Sequence, residues 1–561
     1  MKKQNKIIPS LVMFATTSLA TMSANIQAEE QISSVASKRP NIVLLLTDDQ
    51  SYHSVGYSGN KQVKTPNIDA LAQRGVIFDR AYDTTSICMA SRAQVFTGMY
   101  EYKTGANFTH GPLAPEKWQQ SYQVLLRDAG YFTGFVGKFG FAVKEQEKGS
   151  SYKKDTDLPS NDFDVWYGWP SQGYYATDKN KSIAKFAKQY PHTTKAVGAA
   201  SIDFLKQAKQ EDKPFLLSVS FKAPHKAFTP DPAYDDVYAD TVWEEPKNFG
   251  ENGAKHIPEQ AKGGRQYRTM LDFIPEKFQE NMRKYHQLVY GVDQAVGMIT
   301  QALEQQGLAD NTVILFLSDN GYSLGAHNMS GKVLPYEEPS RTPMVVYDPR
   351  LPSLGKNNRV QSVTSNLDMA PTIFELSGVK TPSNVDGKSL LPLLKNPEQK
   401  VQDNVMLINA WGSSPTHSLA VVTDKYKYIY WPFSHGMQAA EELYDLSKDK
   451  HEMVNQMKNP EYANQLKMMR EKFDAGVSKW QSETVSTGNY PAFGKVFDRS
   501  LSWEDKLSQF DQRMQRKYVE WQATEKSEKA NRKKNQNKKA KNRKDKNARN
   551  KNAQPKSVES I

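Results

Sequence analysis

Two apolar runs, each ending in side chains with oxygen donors, most strongly limit how this chain folds. Residues 42–46 are all aliphatic and lead into Asp48 and Asp49, and a second run leads into Asp319 and Asn320. Uninterrupted apolar runs of this length are typical of strands that are buried on both faces of a parallel sheet. Ligands collect at the carboxyl ends of such strands, where paired carboxylates suit a hard cation. For Asp48 and Asp49 alone, a turn or a helix cap is an equally good interpretation.

The only cysteine among the 561 residues, Cys88, has no partner in the chain for a disulfide. It is therefore idle, paired with another molecule, or used chemically. Burial as a small apolar side chain is the usual fate of an isolated cysteine. Here Ala90, Ser91 and Arg92 follow closely, and this small, polar and cationic surrounding favours an anion. The apolar residues after Arg92 predict a helix that begins just after Cys88, and a helix amino end also favours negative charge.

The net charge of +12 is concentrated near the carboxyl end of the chain. Residues 526–556 hold 14 Lys or Arg and two acidic residues, so the rest of the chain is close to neutral. A Lys- and Asn-rich segment of this kind cannot bury enough apolar surface to fold alone. We predict a disordered basic tail over residues 524–561, with an arm that holds anionic polymers as the alternative. Nucleic acid is not a predicted partner, because no base-reading motif accompanies the charge.

Residues 1–28 have the form of a secretory signal. A basic start precedes an apolar stretch, and Ile26-Gln27-Ala28 fits a cleavage site. A membrane anchor is the alternative, but Ser and Thr interrupt the stretch and no later run is long enough to span a bilayer. We therefore predict a periplasmic or secreted protein without an integral membrane segment.

The pattern Cys-x-Ala-Ser-Arg at residues 88–92, followed by Thr97-Gly98, resembles the signature of the sulfatase family. Further matching motifs, in that family's order, are Gly137-Lys138, Ala223-Pro224-His225, Ser318-Asp319-Asn320-Gly321, Gly325-Ala326-His327, Lys332, and Tyr336-Glu337-Glu338 with Arg341 and Pro343. The resemblance covers about residues 38–455. It implies that a separate maturation enzyme oxidises Cys88 to Cα-formylglycine (3-oxoalanine), whose hydrated aldehyde is the nucleophile.

The resemblance also implies a role for each side chain of the site. The implied metal ligands are four oxygen donors and the residue at position 88: Asp48, Asp49, Asp319, Asn320 and Cys88. Zinc is disfavoured because it seeks sulfur or nitrogen ligands, so calcium is the predicted ion and magnesium a possible substitute. The implied catalytic residues are Cys88, Arg92, Lys138, His225 and Lys332. The implied substrate-binding residues are Lys138, His225, His327 and Lys332.

One position departs from the family pattern. The family has Gly-Lys-x-His where this chain has Gly137-Lys138-Phe139-Gly140. In the family that histidine assists the proton transfer that resolves the sulfated intermediate. No role is assigned to position 140, and either another histidine, with His110 as a candidate, or solvent is expected to substitute.

Residue patterns and the resemblance together predict an α/β fold. It has a large mixed, mostly parallel sheet flanked by helices and a smaller C-terminal antiparallel-sheet subdomain, where Tyr426–Tyr430 alternates as an antiparallel strand does. A terminal helix is predicted from apolar residues at steps of three and four: Trp503, Leu507, Phe510, Met514, Tyr518 and Trp521. The predicted divisions are a catalytic domain at residues 38–400 and a subdomain with this helix at residues 401–523.

The implied activity is that of a sulfuric ester hydrolase acting on a sulfated carbohydrate. Export, the basic tail and the aromatic residues between positions 145 and 190 favour a sulfated polysaccharide or oligosaccharide. Those aromatic residues equally fit the packing of a long surface loop. Two other functions stay open, namely a phosphonate or phosphate ester hydrolase of the same superfamily and a non-catalytic binder of anionic glycans.

Overall fold

A computed structural model describes residues 39–145, 157–268, 270–412, 414–432 and 438–508. The predicted signal and basic tail lie outside these ranges, as do four of the six residues of the predicted terminal helix face. The other two, Trp503 and Leu507, bound a short helix. Among the helices in these ranges, none is long and apolar enough to cross a bilayer.

The strands are β1 (Asn41–Asp48), β2 (Val76–Phe78), β3 (Ala81–Tyr82), β4 (Phe132–Lys138), β5 (Val165–Trp169), β6 (Phe215–Pro224), β7 (Thr312–Ser318), β8 (Met344–Tyr347), β9 (Arg359–Val360), β10 (Thr364–Ser365), β11 (Val405–Asn409), β12 (Ser418–Val422), β13 (Tyr426–Trp431) and β14 (Ala440–Asp445). The α-helices are α1 (Pro66–Arg74), α2 (Cys88–Thr97), α3 (Glu101–Thr104), α4 (Pro115–Trp118), α5 (Tyr122–Asp128), α6 (Thr193–Ala208), α7 (Gly250–Gly253), α8 (Glu259–Lys262), α9 (Arg265–Arg268), α10 (Pro275–Gln305), α11 (Glu337–Ser340), α12 (Met369–Ser377), α13 (Leu391–Lys395), α14 (Ala463–Glu483), α15 (Tyr490–Val496) and α16 (Trp503–Leu507).

The large sheet has the strand order β5-β4-β6-β1-β7-β8-β2-β9. In this order, the five strands from β5 to β7 run parallel to one another, whereas β8 is antiparallel to both β7 and β2. The predicted mixed, mostly parallel sheet is confirmed. The apolar runs that predicted it form β1 and β7, which are adjacent near the middle of the sheet.

Side chains of β1 alternate between two apolar cores. Ile42, Leu44 and Leu46 pack on one face with residues of α2, α5 and α12. Val43 and Leu45 pack on the other face with residues of α1, α6 and α10. Because helices cover both faces, every position of β1 is buried, and the strand shows continuous apolar residues rather than alternation.

The second large element is a four-stranded antiparallel sheet with the order β11-β12-β13-β14. One of its faces packs on α14 and α15 through residues that include Phe473 and Trp480. The other face contributes Trp431 and Tyr444 to a core that includes Tyr336, which lies beside α11. The predicted C-terminal antiparallel sheet is confirmed.

Residues 145–190 are more than a surface loop, because β5 adds an edge strand to the large sheet beside β4. Phe163, Trp169 and Tyr175 are buried. Of the aromatic side chains described in this segment, Tyr174 alone is exposed, at 58%. Packing in the core therefore accounts for most of these aromatic residues, and they do not form a broad aromatic surface for sugars.

Candidate active site

The candidate site lies at the carboxyl edge of the large sheet, where β1 and β7 end side by side. Their parallel register brings Asp48 and Asp49 next to Asp319 and Asn320. The backbone N–H of Asp49 donates to Asp319 Oδ1 at 3.2 Å, and Asn320 Nδ2 donates to Asp49 Oδ1 at 2.7 Å. Four predicted oxygen donors from two distant parts of the chain therefore meet at one place.

Cys88 is the first residue of α2 and faces these carboxylates. Its Sγ donates to Asp48 Oδ1 at 3.2 Å, and Lys332 Nζ lies 2.7 Å from the same sulfur. Burial, together with the negative charge of Asp48, raises the pKa of the Cys88 thiol to about 12. The thiol is therefore protonated at neutral pH and is a poor nucleophile as it stands.

Three buried cations pair with the three carboxylates of the site. The pairs are Arg92 with Asp319 at 2.8 Å, Lys138 with Asp48 at 2.5 Å, and Lys332 with Asp49. Burial alone raises the pKa of Asp48, but neighbouring cations, Lys138 foremost, hold it well below its usual value. Burial and the charge of Asp48 raise the pKa of Asp319 to about 6.

The donor atoms of this cluster fit a divalent cation. Ligand atoms of Asp48, Asp49, Cys88 and His225 all lie within 4.8 Å of one another. Asn320 Oδ1 is buried beside them and has no hydrogen-bond partner in the described part of the chain. A buried amide oxygen without a partner costs free energy, and a cation between the strand ends would satisfy it.

His225 follows the end of β6 and faces the same carboxylates. Its Nε2 lies 3.8 Å from Asp49 Oδ2, and its carbonyl accepts a hydrogen bond from the Tyr175 hydroxyl at 2.6 Å. Burial lowers the pKa of the imidazole to about 4, although Asp48 and Asp49 oppose this shift. The ring is therefore neutral in this arrangement, with one nitrogen directed at the carboxylates.

The structure does not bring His327 into this cluster. The residue has a positive φ of 52°, and its Nδ1 contacts the Gly253 carbonyl at 2.8 Å. Its Nε2 lies 4.0 Å from Glu338 and from Glu452, and its ring packs on Tyr336. No hydrogen bond or ion pair links His327 to Cys88 or its neighbours within the described ranges, because the turn directs the ring toward the C-terminal sheet.

Gly140 stands where the family pattern has a histidine, and the structure leaves no space for a side chain. The residue has a φ of +95°, and a Cβ would lie 2.5 Å from Arg92 Cδ. The candidate substitute, His110, contacts the Ala410 carbonyl at 2.7 Å through Nε2 and packs on Tyr490. Within the described residues, neither a hydrogen bond nor an ion pair joins His110 to the cluster.

Sequence reasoning missed two polar residues next to Lys138. Gln172 accepts a hydrogen bond from Lys138 Nζ at 2.7 Å. Lys222 lies on β6 three residues before His225, and its charge interacts with those of Asp48 and Lys138. The available signal was a lysine inside a buried strand that has no other charged residue.

Fold and site together define an α/β protein with a buried site of carboxylates and cations at the carboxyl edge of its large sheet. The family model for Sulfatase matches residues 40–379, and the model for N-sulphoglucosamine sulphohydrolase, C-terminal, matches residues 325–479. The first match covers more than half of the chain. The chain belongs to the sulfatase family, and the protein is an enzyme of that family.

Relatives in the family cover most of the chain. An N-acetylglucosamine-6-O-sulfatase of Bacteroides thetaiotaomicron is 27% identical over 525 residues, which span 82% of this chain and 88% of the relative. An arylsulfatase of Clostridium perfringens is 28% identical over 468 residues, which span 77% of this chain and 93% of the relative.

Two solved structures resemble the chain at the level of the fold alone. A protein in complex with its substrate D-glucosamine-2-N,6-O-disulfate has a TM-score of 0.66 at 23% identity, covering 79% of this chain and 99% of that one. The phosphonate monoester hydrolase of Agrobacterium radiobacter has a TM-score of 0.64 at 21% identity, covering 79% and 96%.

Proposed function

We propose that this sulfatase removes sulfate from a sulfated carbohydrate through a hydrated Cα-formylglycine at position 88 and a bound divalent cation. The observation that carries the proposal is the position of Cys88 between the Asp48 carboxylate and the Lys332 ammonium. A buried, protonated thiol has no acid, base or nucleophilic use there. An aldehyde hydrate at the same position has one hydroxyl to attack and a second to expel the product.

In the proposed complex the cluster neutralises the charge of the sulfate group. The ligands of the cation are Asp48, Asp49, Asp319, Asn320 and the hydrate at position 88. Their oxygen chemistry favours Ca²⁺, with Mg²⁺ as a substitute, and the cation supplies Lewis-acid polarisation of a sulfuryl oxygen when bound. Arg92, Lys138 and Lys332 contribute fixed positive charge, which needs no rearrangement as the reaction proceeds.

The proposed reaction has two steps. A hydroxyl oxygen of the hydrate attacks sulfur and gives its proton to the neutral His225, the bond from sulfur to the sugar oxygen breaks, and His225 passes that proton to the leaving alkoxide. The second hydroxyl of the hydrate then gives its proton to solvent, its carbon–oxygen bond becomes a carbonyl, and the bond from the same carbon to the sulfated oxygen breaks. Sulfate leaves, and water hydrates the aldehyde again.

A cavity lined by Trp411 and Arg265 supports a carbohydrate as the substrate. It has a volume of about 270 Å³, and the Arg265 guanidinium lies over the Trp411 ring in its wall, 4.4 Å from the ring centroid. Trp411 packs against an apolar cluster that includes Ile87 and Val333, which adjoin Cys88 and Lys332 in the sequence. An aromatic ring and a guanidinium fit a sugar that carries a second anionic group, as does the likeness to N-acetylglucosamine-6-O-sulfatase.

We also propose that the protein is exported to the periplasm or secreted, and that a maturation enzyme oxidises Cys88. Since Cys88 is buried in the folded chain, that enzyme would act before α2 packs. We further propose that the chain divides into a catalytic domain at residues 38–400 and a C-terminal subdomain at residues 401–523.

The test is a comparison of matured enzyme on an aryl sulfate, on a phenyl phosphonate and on defined sulfated oligosaccharides. The proposal expects the highest kcat/KM on a sulfated oligosaccharide and the lowest on the phosphonate. Faster turnover of the phosphonate would instead assign the chain to the phosphonate hydrolases of this fold. Desulfation of the aryl sulfate alone would contradict the carbohydrate as substrate.

A further inference from the structure

Lys222 is a fourth cation in a site whose three carboxylates already have cationic partners. Its side chain is buried, with 7% of the residue exposed. Its ammonium has neither a hydrogen bond nor an ion pair with any residue that the structure describes. A buried, unpaired ammonium is costly, so this arrangement favours an anion beside it.

The strand topology places Lys222 at the site. β6 lies between β1 and β4, whose carboxyl ends carry Asp48 and Lys138. Lys222 lies in an irregular stretch of β6, between Ser220 and Pro224, where the register with β1 shifts as β1 reaches Asp48. Ser220, at the start of this stretch, contacts the Arg92 guanidinium.

Tyr175 holds the Lys222 side chain at the wall of the site. Lys222 Nζ lies 4.9 Å from the centroid of the Tyr175 ring. The Tyr175 hydroxyl donates to the His225 carbonyl, so the same tyrosine contacts both residues. A ring face attracts a cation without neutralising its charge, which leaves the ammonium available to an anion.

We propose that Lys222 is a substrate-binding residue that contacts an oxygen of the sulfate group to be cleaved. This inference rests on the proposed function, in which the site takes a sulfate ester. Arg92, Lys138 and Lys332 each have a carboxylate partner, whereas Lys222 has none. Its ammonium can therefore approach a sulfate oxygen without breaking an ion pair, and so adds to the positive charge that Arg92, Lys138 and Lys332 provide.

The experiment replaces Lys222 with Met, which keeps the apolar stem, and with Arg, which keeps the charge. The matched control is Lys195→Met, because Lys195 also lies over a tyrosine ring, Tyr234 at 4.6 Å, but has a carboxylate partner in Asp231. The readouts are KM and kcat on an aryl sulfate, the inhibition constant of inorganic sulfate, and the unfolding temperature.

For Lys222→Met we expect KM and the sulfate inhibition constant to rise roughly tenfold or more, the loss typical of a charge-assisted hydrogen bond. Lys222→Arg is expected to recover most of this loss, and Lys195→Met to match the wild type. If Lys222→Met does not fold, Lys222→Gln replaces it. An unchanged sulfate inhibition constant in a folded, uncharged variant overturns the inference.

Different results would overturn the role of Lys222 and the proposed function. A wild type that is active on the aryl sulfate, with variants that bind sulfate equally well, overturns the role of Lys222 and leaves the proposed function intact. A wild type without activity on any sulfate ester overturns the proposed function. Calorimetric titration with inorganic sulfate then still tests Lys222, since equal affinities of wild type and Lys222→Met overturn its role as well.

Discussion

The Nζ atom of Lys332 lies 2.7 Å from Sγ of Cys88, although 244 residues separate the two in the chain. The same ammonium pairs with Asp49 at the end of β1. One lysine thereby connects the amino end of α2 with the carboxyl edge of the sheet. An ammonium in this position faces whichever atom at residue 88 bonds to sulfur, so its loss should affect the chemical step.

Lys332→Met should lower kcat on an aryl sulfate by roughly 10²–10³-fold, because it removes a preorganised charge from the reacting group. The unfolding temperature should also fall, because the buried Asp49 loses its cationic partner, so kcat is measured where the variant is still folded. Steady-state kinetics beside thermal unfolding measures both. Lys262→Met, which removes a surface lysine paired with Glu259, is the control. A kcat within threefold of the wild type would contradict this role for Lys332.

Cys88→Ala and Cys88→Ser should both abolish turnover, because neither residue can form an aldehyde hydrate. In the wild type, the peptide that contains residue 88 should have a lower mass than the thiol form, because the CH2–SH side chain has become an aldehyde, CHO. Peptide mass spectrometry on protein from the native host measures this. Full activity in either variant would overturn the proposed nucleophile.

Chelation with EDTA should lower activity, and Ca²⁺ should restore it. The three carboxylates that converge at the strand ends would hold the cation. A cation that binds only the folded state stabilises that state by about 2.7 kcal/mol when its free concentration is a hundred times Kd. The unfolding temperature should therefore rise with added Ca²⁺. Asn320→Ala, which removes the unpartnered amide oxygen, should weaken this response. Equal activity before and after exhaustive dialysis against EDTA speaks against the cation.

The centre of the fold and the meeting of the carboxylates could be predicted because burial on both faces leaves a signature in the chain itself. The apolar runs before Asp48 and Asp319 need no knowledge of partners, and parallel pairing then brings their ends together. For this reason Asp49 and Asn320 lie where the sequence predicts them.

Residues positioned by turns were harder to predict. His327 follows a tight turn whose direction is set by its contact with the Asn248 carbonyl, a long-range partner that no local pattern reveals. Trp169 and Tyr175 are buried because β5 joins the sheet edge. Lys222 was overlooked because a lysine in a strand is usually solvated, and only the topology shows that its strand end is enclosed.

Deletion of residues 524–561 should weaken action on a sulfated polysaccharide and leave action on an aryl sulfate unchanged. This segment contains residues 526–556, whose excess of basic residues equals the net charge of the chain. Attraction between such a segment and a polyanion is screened by salt. The deletion should therefore raise KM for the polymer at low ionic strength and reduce its dependence on salt. An identical KM for the polymer with and without these residues would contradict the arm that holds anionic polymers and favour a solvated tail.

Glu442 should make the folded state less stable as pH rises toward 7. The carboxyl is buried in the C-terminal sheet and accepts hydrogen bonds from Trp431, Tyr444 and Tyr336. Burial nevertheless raises its pKa from 4.5 to about 7. Between these values the folded state binds a proton that the unfolded chain has released, so the free energy of unfolding falls with rising pH, by at most about 3 kcal/mol.

Glu442→Gln removes this titration and should flatten the dependence of stability on pH between 5 and 8. Urea unfolding across that range measures the free energy of unfolding of both proteins. The variant resembles the protonated wild type, so the two curves should approach each other near pH 5 and separate near pH 8, with the variant the more stable there. Glu259→Gln, at an exposed surface pair, should follow the wild-type slope. Parallel curves for wild type and Glu442→Gln would show that the carboxyl keeps its ordinary pKa, because an unshifted group adds no slope in this window.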